Sequence, residues 1–340
     1  MDLRDRWYAL KNDNPRLRIR DAAARLTVSE LELVATGCGQ DVIRLMGPWP
    51  MLMARLEALG EVMALTRNEQ AVHEKTGPYL NIKITPHVGL VLGEKIDLRI
   101  FPGRWKHGFA VTGRGARKSL QFFDACGQAV HKIYQTKQTD GEAWETLVAD
   151  FTAADQSSQQ ARPERAPAPA EDNPDPDTEG FLAKWRMLKD THHFFGLLNK
   201  HKVTRRQALL LAEGEFTRRV STASAQSLLE AAAEKQVSIM VFVGNPGCIQ
   251  IHTGPVERIA PTGGWINVLD ADFNLHLRQD QVDEAWVVQK PTEDGVVTSL
   301  ELLSASGGVI AQFFGERKPG SPELESWRGL VSALSDAVTS

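Results

Sequence analysis

A tryptophan-led phrase occurs twice, and that repetition constrains the fold more than any other feature of this 340-residue chain. Trp7 to Lys11 (Trp-Tyr-Ala-Leu-Lys) is answered by Trp185 to Lys189 (Trp-Arg-Met-Leu-Lys) at an offset of 178. Ser119-Leu120 and Gly127 are answered by Ser299-Leu300 and Gly307 at an offset of 180. Phe109-Ala110-Val111 lines up with Trp286-Val287-Val288, and Trp144 with Trp327 once a three-residue insertion at Lys318–Gly320 is allowed. Anchors kept in order at a nearly constant offset predict a tandem duplication. The copies are separated by residues 153–178, which hold five of the 17 prolines and, proline aside, no apolar residue larger than Ala. Six acids (Asp155, Glu164, Glu171, Asp172, Asp175, Asp177) against two bases (Arg162, Arg165) give this segment −4, the formal charge of the whole chain. Such a composition cannot offset the entropy of ordering and predicts an extended, mobile tether. The expected organisation is an N-terminal repeat over 1–152, a Pro/Ala/acid-rich linker over 153–178 and a C-terminal repeat over 179–340.

Each half opens with helical signals. Arg20 to Val34 carries Ala22, Ala23, Leu26, Leu31 and Leu33 at helical spacing, and Ser29 with Glu32 reads as a capping box. Thr204 with Gln207 repeats that pattern in the second half. Short alternating stretches follow: Leu80 to Ile84, Lys95 to Phe101, Val237 to Val243, Trp265 to Leu269 and Val282 to Val288. Helical segments close the halves, around Glu142 to Phe151 and Glu323 to Ala337. Helices, then antiparallel strands, then a helix, written twice, is an α+β layout.

With 39 Lys and Arg against 43 Asp and Glu, no bulk electrostatic grip on nucleic acid or anionic membrane is expected. Three scattered cysteines (Cys38, Cys126, Cys248) form no C-x-x-C and fit a reducing compartment. The absence of a long apolar run and of a signal-like N-terminus predicts a cytoplasmic protein without membrane insertion.

The sharpest chemical feature is Asp190-Thr191-His192-His193-Phe194-Phe195-Gly196-Leu197-Leu198. Adjacent helical histidines point about 100° apart and do not readily chelate one ion together. One of them beside an aromatic wall suits a single axial ligand to a haem iron, which needs a neutral imidazole nitrogen and flat apolar contact. The plainer alternative is that Asp190 or Thr191 caps a helix and His193 is solvated. Lys200-His201-Lys202-Val203-Thr204-Arg205-Arg206 packs five bases into seven residues at a helix start, against the macrodipole, and an anionic ligand would relieve it. A solvated basic turn is the alternative. Gly113 to Lys118 is most simply a basic hairpin loop. Arg18 to Val34 also has the outline of a helix-turn-helix, but residues 1 to 36 hold seven bases and six acids, little for phosphate contact.

Several phrases resemble a known family. They are Asn14-Pro15 with Arg18 to Ala23, Lys83 to Gly89, and Lys95 to Phe101 with Trp105. In the second half they are Asp190 to Arg205, Val282 to Trp286 and Phe314 to Gly320. Their order and coverage resemble the HemS/ChuS/PhuS group of cytoplasmic haem-handling proteins, also known as hemin-degrading factors. The resemblance implies a tandem α+β fold in which each half is a large antiparallel sheet with flanking helices. It implies haem b (iron protoporphyrin IX) in a cleft contributed mainly by the second half and closed by the first. The proximal iron ligand falls on His192, with His193 a substitute, and the distal arginine on Arg99. Propionate and rim positions fall on Arg205, Lys290, Gln312 and Arg317. An aromatic position that is tyrosine in some relatives is Phe314, which keeps the ring and loses the hydroxyl.

Two functions follow from the resemblance. One is a carrier that accepts haem from the cytoplasmic side of an importer and passes it to a haem oxygenase. The other is a haem-degrading enzyme that opens the macrocycle with oxygen and external electrons. No flavin or nicotinamide motif is visible, which favours the carrier. A remote third reading is DNA binding through Arg18 to Val34.

Overall fold

The computed structural model describes residues 2–113, 117–159, 163–317 and 320–337. Residues 114–116 of the basic turn Gly113 to Lys118, and Lys318-Pro319 of the phrase beginning at Phe314, lie outside the described residues. The chain divides into two compact units. Unit 1 comprises Met1–Arg67, Glu74–Pro167 and Asn245–Gln250, and unit 2 comprises Asn68–His73, Ala168–Gly244 and Ile251–Ser340. Each unit thus takes a short segment from the other side of the linker.

Unit 1 opens with α1 (Leu3–Asp13), α2 (Ile19–Leu26) and α3 (Glu30–Ala35). Then come β1 (Val42–Leu45), α4 (Trp49–Met53), β2 (Gly60–Arg67), β3 (Ala71–Pro78), β4 (Lys83–Ile84), β5 (Gly89–Leu92) and β6 (Asp97–Ile100). A meander of β7 (His107–Val111), β8 (Ser119–Phe123) and β9 (Ala129–Thr139) leads to α5 (Gly141–Asp150). After the linker come α6 (Thr178–Arg186), α7 (His193–His201), α8 (Arg205–Leu211), β10 (Thr217–Val220), α9 (Ser224–Glu234), β11 (Ile239–Asn245) and β12 (Cys248–Gly254). They are followed by β13 (Trp265–Leu269), β14 (Phe273–Arg278), β15 (Glu284–Thr292), β16 (Gly295–Leu303), β17 (Val309–Gly315) and α10 (Glu325–Ser332).

The strands form two large sheets, of eight and nine strands. Within unit 1 the antiparallel order is β1-β7-β8-β9-β2, and within unit 2 it is β10-β15-β16-β17-β11. These are one path drawn twice. Arg44, Phe109, Gln121 and Lys132 face one another across unit 1, where Arg219, Trp286, Glu301 and Gln312 do so across unit 2. Even a cation–ring contact is kept: Arg44 lies 5.3 Å over Phe109, and Arg219 lies 5.7 Å over Trp286. Gly127 and Gly307 occupy the matching turns at φ of +77° and +76°, where a side chain would be strained. Trp144 and Trp327 are both buried under their sheets. The tandem α+β fold expected from the repeated phrases is the fold observed.

The elements depart from the sequence reading in a few places. Arg20 to Val34 is two helices, broken where Thr27 adopts φ 56°. Ser29 and Glu32 do form a capping box. Thr204 forms half of one: its hydroxyl accepts from the Gln207 N–H at 3.1 Å, but the Gln207 side chain bonds the Asn173 backbone instead. Only Lys83–Ile84 of the Leu80 to Ile84 stretch is strand. Five of the six α3 residues are buried, and the sixth, Glu32, is engaged in its cap, so α3 presents no face to a DNA groove. Among its described residues the linker has no helix or strand before α6. It is nonetheless held: Gln156 exchanges hydrogen bonds with the Arg44 backbone, and the Arg44 guanidinium donates to the Ser157 and Gln159 carbonyls.

In unit 2, one face of the β10-β15-β16-β17-β11 sheet packs on α9 and α10 through Ala285, Val287, Leu300, Leu302, Ala311 and Phe313. The opposite face packs on α6 to α8 through Trp286, Val288 and Leu303 against Phe181, Trp185, Phe194 and Leu198. This second face carries the candidate site.

Candidate functional site

α7 begins beside a carboxylate. His192 occupies its N-cap position, and Asp190 Oδ1 accepts both the His192 backbone N–H at 2.8 Å and the ring Nδ1 at 2.6 Å. The first of these bonds, reinforced by the ring, holds the Asp190 carboxyl below its usual range. With Nδ1 engaged by Asp190, Nε2 is the ring nitrogen left for a ligand, on a side chain that is 84% exposed. A metal-ligating histidine commonly has this arrangement, because the carboxylate fixes the tautomer and strengthens the other nitrogen as a donor. His193 is solvated, as the plainer reading had it. Phe194 and Leu197 anchor α7 inward, leaving His192, Phe195, Gly196 and Asn199 as an exposed strip at helical spacing. Phe195 is 66% exposed, and a Cβ added at Gly196 would meet nothing within 4 Å. An imidazole nitrogen thus stands at the end of a smooth, partly aromatic ledge.

The basic run that follows is divided by Lys202, which turns the chain at φ 52°. Lys200 and His201 end α7, where cations suit the dipole, and only Arg205 and Arg206 start α8. Relief for these two comes from the protein itself. Arg206 Nε bonds Glu284 at 2.7 Å, and Arg205 Nη1 bonds Glu301 Oε2 at 2.6 Å. Glu301 Oε1 accepts from Lys290 Nζ at 2.7 Å and, more weakly, from the Ser299 hydroxyl at 3.2 Å. Both cations also lie against the Phe194 ring, Lys290 at 4.7 Å and Arg205 at 5.3 Å. Burial would push the Glu301 carboxyl up, but the Arg205 and Lys290 charges outweigh it and hold it at about 2.

Strand register explains why these side chains meet. Trp286, Glu301 and Gln312 are cross-strand partners, as are Val288, Ser299 and Phe314, with Lys290 further along β15 on the same face. Gln312 and Phe314 are half-buried, and β11 sets Phe242 and Met240 opposite them. The Phe242 and Phe314 rings meet edge-on at 5.1 Å, forming an apolar wall beside the cation pair. Arg317 follows the end of β17, and its Nη1 is buried with no hydrogen-bond partner among the described residues. That donor suits an incoming carboxylate. Arg99 lies in unit 1 on β6, paired with Asp97 and about one-third exposed.

Unit 2 therefore sets Lys290, Gln312 and Phe314 on one sheet face, with Arg205 reaching Glu301 from the start of α8. The sequence reading missed Asp190 as the partner of His192, Glu301 as the hub of the cations, and Phe242 and Met240 in the wall. Strand alternation could have placed Met240 and Phe242 on one face, but not opposite Gln312.

The family model for the haemin-degrading HemS/ChuX domain matches twice, over residues 27–151 and 202–334. The hemin transport protein HemS of Yersinia enterocolitica is 42% identical over 336 residues, 98% of this chain and 97% of that protein. The chain belongs to the HemS family. Its fold is that of holo-PhuS, a heme-binding protein from Pseudomonas aeruginosa, at a TM-score of 0.95 and 47% identity over 98% of this chain and 99% of that one. ChuS, described as an E. coli heme oxygenase, superposes at 0.88 with 38% identity over 98% and 99% of the two chains.

Proposed function

We propose that this protein binds haem b in the cytoplasm as part of a haem-uptake system and hands it to a haem oxygenase. The observation that carries the reading is the His192–Asp190 pair on an open aromatic ledge in the same unit as the Arg205, Lys290 and Glu301 cluster. An imidazole Nε2 suits ferric iron as an axial ligand, and the ledge with the Phe314 and Phe242 wall suits the flat macrocycle. Arg205 and the buried Arg317 donor suit propionates, with Gln312 at the rim. Covering about 200 Å² of apolar porphyrin would contribute about 5 kcal/mol. For Arg99 as the distal group, the family resemblance is the support. An arginine is cationic at all relevant pH and does not ligate iron, so its role would be to hold a small molecule there or to close the site.

The direct test is a hemin titration followed by absorbance. A saturable one-to-one Soret band is expected, and no saturation would refute haem binding. The likeness to ChuS favours a second reading, in which the protein opens the macrocycle itself. Haem-loaded protein with reductant, oxygen and catalase separates the two. A carrier keeps its Soret band when peroxide is removed, whereas an enzyme converts haem to an open tetrapyrrole with catalase present.

A further inference from the structure

The duplication supplies an internal control for the polar cluster. At the first residue of α8 stands Arg205, behind the Thr204 cap, and at the first residue of α3 stands Glu30, behind the Ser29 cap. By strand register Glu301 corresponds to Gln121 and Gln312 to Lys132. In unit 1 the buried Glu30 and Lys132 pair with each other, one positive charge against one negative. In unit 2 two cations share one carboxylate, leaving one positive charge in excess.

The two cations are not equivalent. The Lys290 side chain is 5% exposed, with its ammonium between Glu301 and the Phe194 face, so reaching a ligand would mean breaking a buried ion pair. The Arg205 side chain is 23% exposed, and only its Nη1 is bonded to Glu301. Its remaining N–H groups are fixed in direction by that bond. Glu301 is fully buried, and no ligand carboxylate can replace it without opening the core.

We infer that Glu301 is a positioning residue: it aims the Arg205 guanidinium at one carboxylate of the bound molecule, while Lys290 serves only to balance the buried charge. This rests on the haem reading and assigns Lys290 a role other than direct propionate contact. It also separates geometry from charge count. Glu301→Gln makes the site more positive, so an attraction set by net charge would tighten an anionic ligand, whereas a site set by aim would weaken it.

The test compares the affinities of hemin and hemin dimethyl ester for the full-length wild type, Glu301→Gln and Lys290→Met/Glu301→Gln. The double variant keeps the wild-type net charge and leaves only the partly exposed Arg205 charge without its carboxylate, so it guards against misfolding of the single variant. The preference for acid over ester is expected to fall about tenfold in both variants, the scale of one charge-assisted hydrogen bond, with the ester affinity and Soret position unchanged. An unchanged or increased preference in Glu301→Gln, or a restored preference in the double variant, would overturn the inference. Equal losses for acid and ester would assign Glu301 a structural role only. If the wild type binds neither compound saturably, it is the haem reading that fails.

Discussion

Asp190 takes two hydrogen bonds from one residue, and the chemistry proposed for α7 depends on them. Asp190→Asn keeps the shape but removes the charge that makes Nε2 a strong donor. Outer-shell changes of this kind cost about 10- to 100-fold in metal affinity. The variant is expected to bind hemin at least about tenfold more weakly, with a raised ferric–ferrous potential, because a weaker donor stabilises ferric iron less. Potentiometry and titration would check this, and unchanged values for both would show that Asp190 does not tune the ligand. At this scale the sequence was informative where chemistry is local. His192, Phe194 and Gly196 sit within one short phrase, so the ledge was legible. Glu301 and Phe242 were not, because their importance comes from register between strands far apart in sequence, and a one-residue slip would turn either to the opposite face.

Among the elements, α7 is the one whose outer face the haem reading requires to stay flat. Gly196 sits mid-helix at a helical cost of about 1 kcal/mol relative to Ala, with open space where its side chain would be. Gly196→Leu is therefore expected to preserve or raise the melting temperature while weakening hemin by more than about tenfold through steric conflict. Unimpaired binding would show that the ligand does not lie along this face. In unit 1 a different element pair carries a buried polar chain. His131 on β9 bonds the Thr66 hydroxyl of β2 at 2.8 Å and the Tyr79 hydroxyl at 2.6 Å, and Cys248 is packed beside them. Burial pushes His131 down to about 3 from an ordinary 6.5. The folded state therefore holds the ring neutral, while the unfolded chain takes up a proton below pH 6.5. The His131 contribution is full above that pH and is lost progressively as pH falls toward 3. The loss is about 3 kcal/mol between pH 7 and 4.5. Urea unfolding at the two pH values should show this loss in wild type and a flatter dependence in His131→Gln. Equal slopes would mean that other groups control acid stability.

Taken as a whole, the molecule is a duplicated fold in which one copy has kept a net positive cluster and the other has closed it. The order of helices, meander and closing helix was legible because tryptophans, turn glycines and alternating strands repeat at a fixed interval. The exchange of short segments was not legible, since neither Asn68–His73 nor Asn245–Gln250 differs in composition from any other turn and strand. That exchange has a measurable consequence. Trp105 Nε1 donates to the Gly247 carbonyl at 2.9 Å, and the Asn245 side chain donates to the Arg67 and Val130 carbonyls. A fragment ending at residue 152 loses all three bonds and the buried Cys248. It is expected to be several kcal/mol less stable than unit 1 in the intact protein, a penalty on the scale of unsatisfied buried donors and acceptors. Denaturation with hydrogen exchange would check this, and equal protection in fragment and full chain would contradict it.

The haem reading stands or falls with His192 as the proposed iron ligand. The most direct measurement is the absorbance spectrum of hemin bound to His192→Ala, with and without added imidazole, against His87→Ala as a distant control. A shifted or broadened Soret band is expected in His192→Ala, restored by imidazole, with a wild-type spectrum in His87→Ala. A wild-type band in His192→Ala, or the same change in both variants, would contradict it.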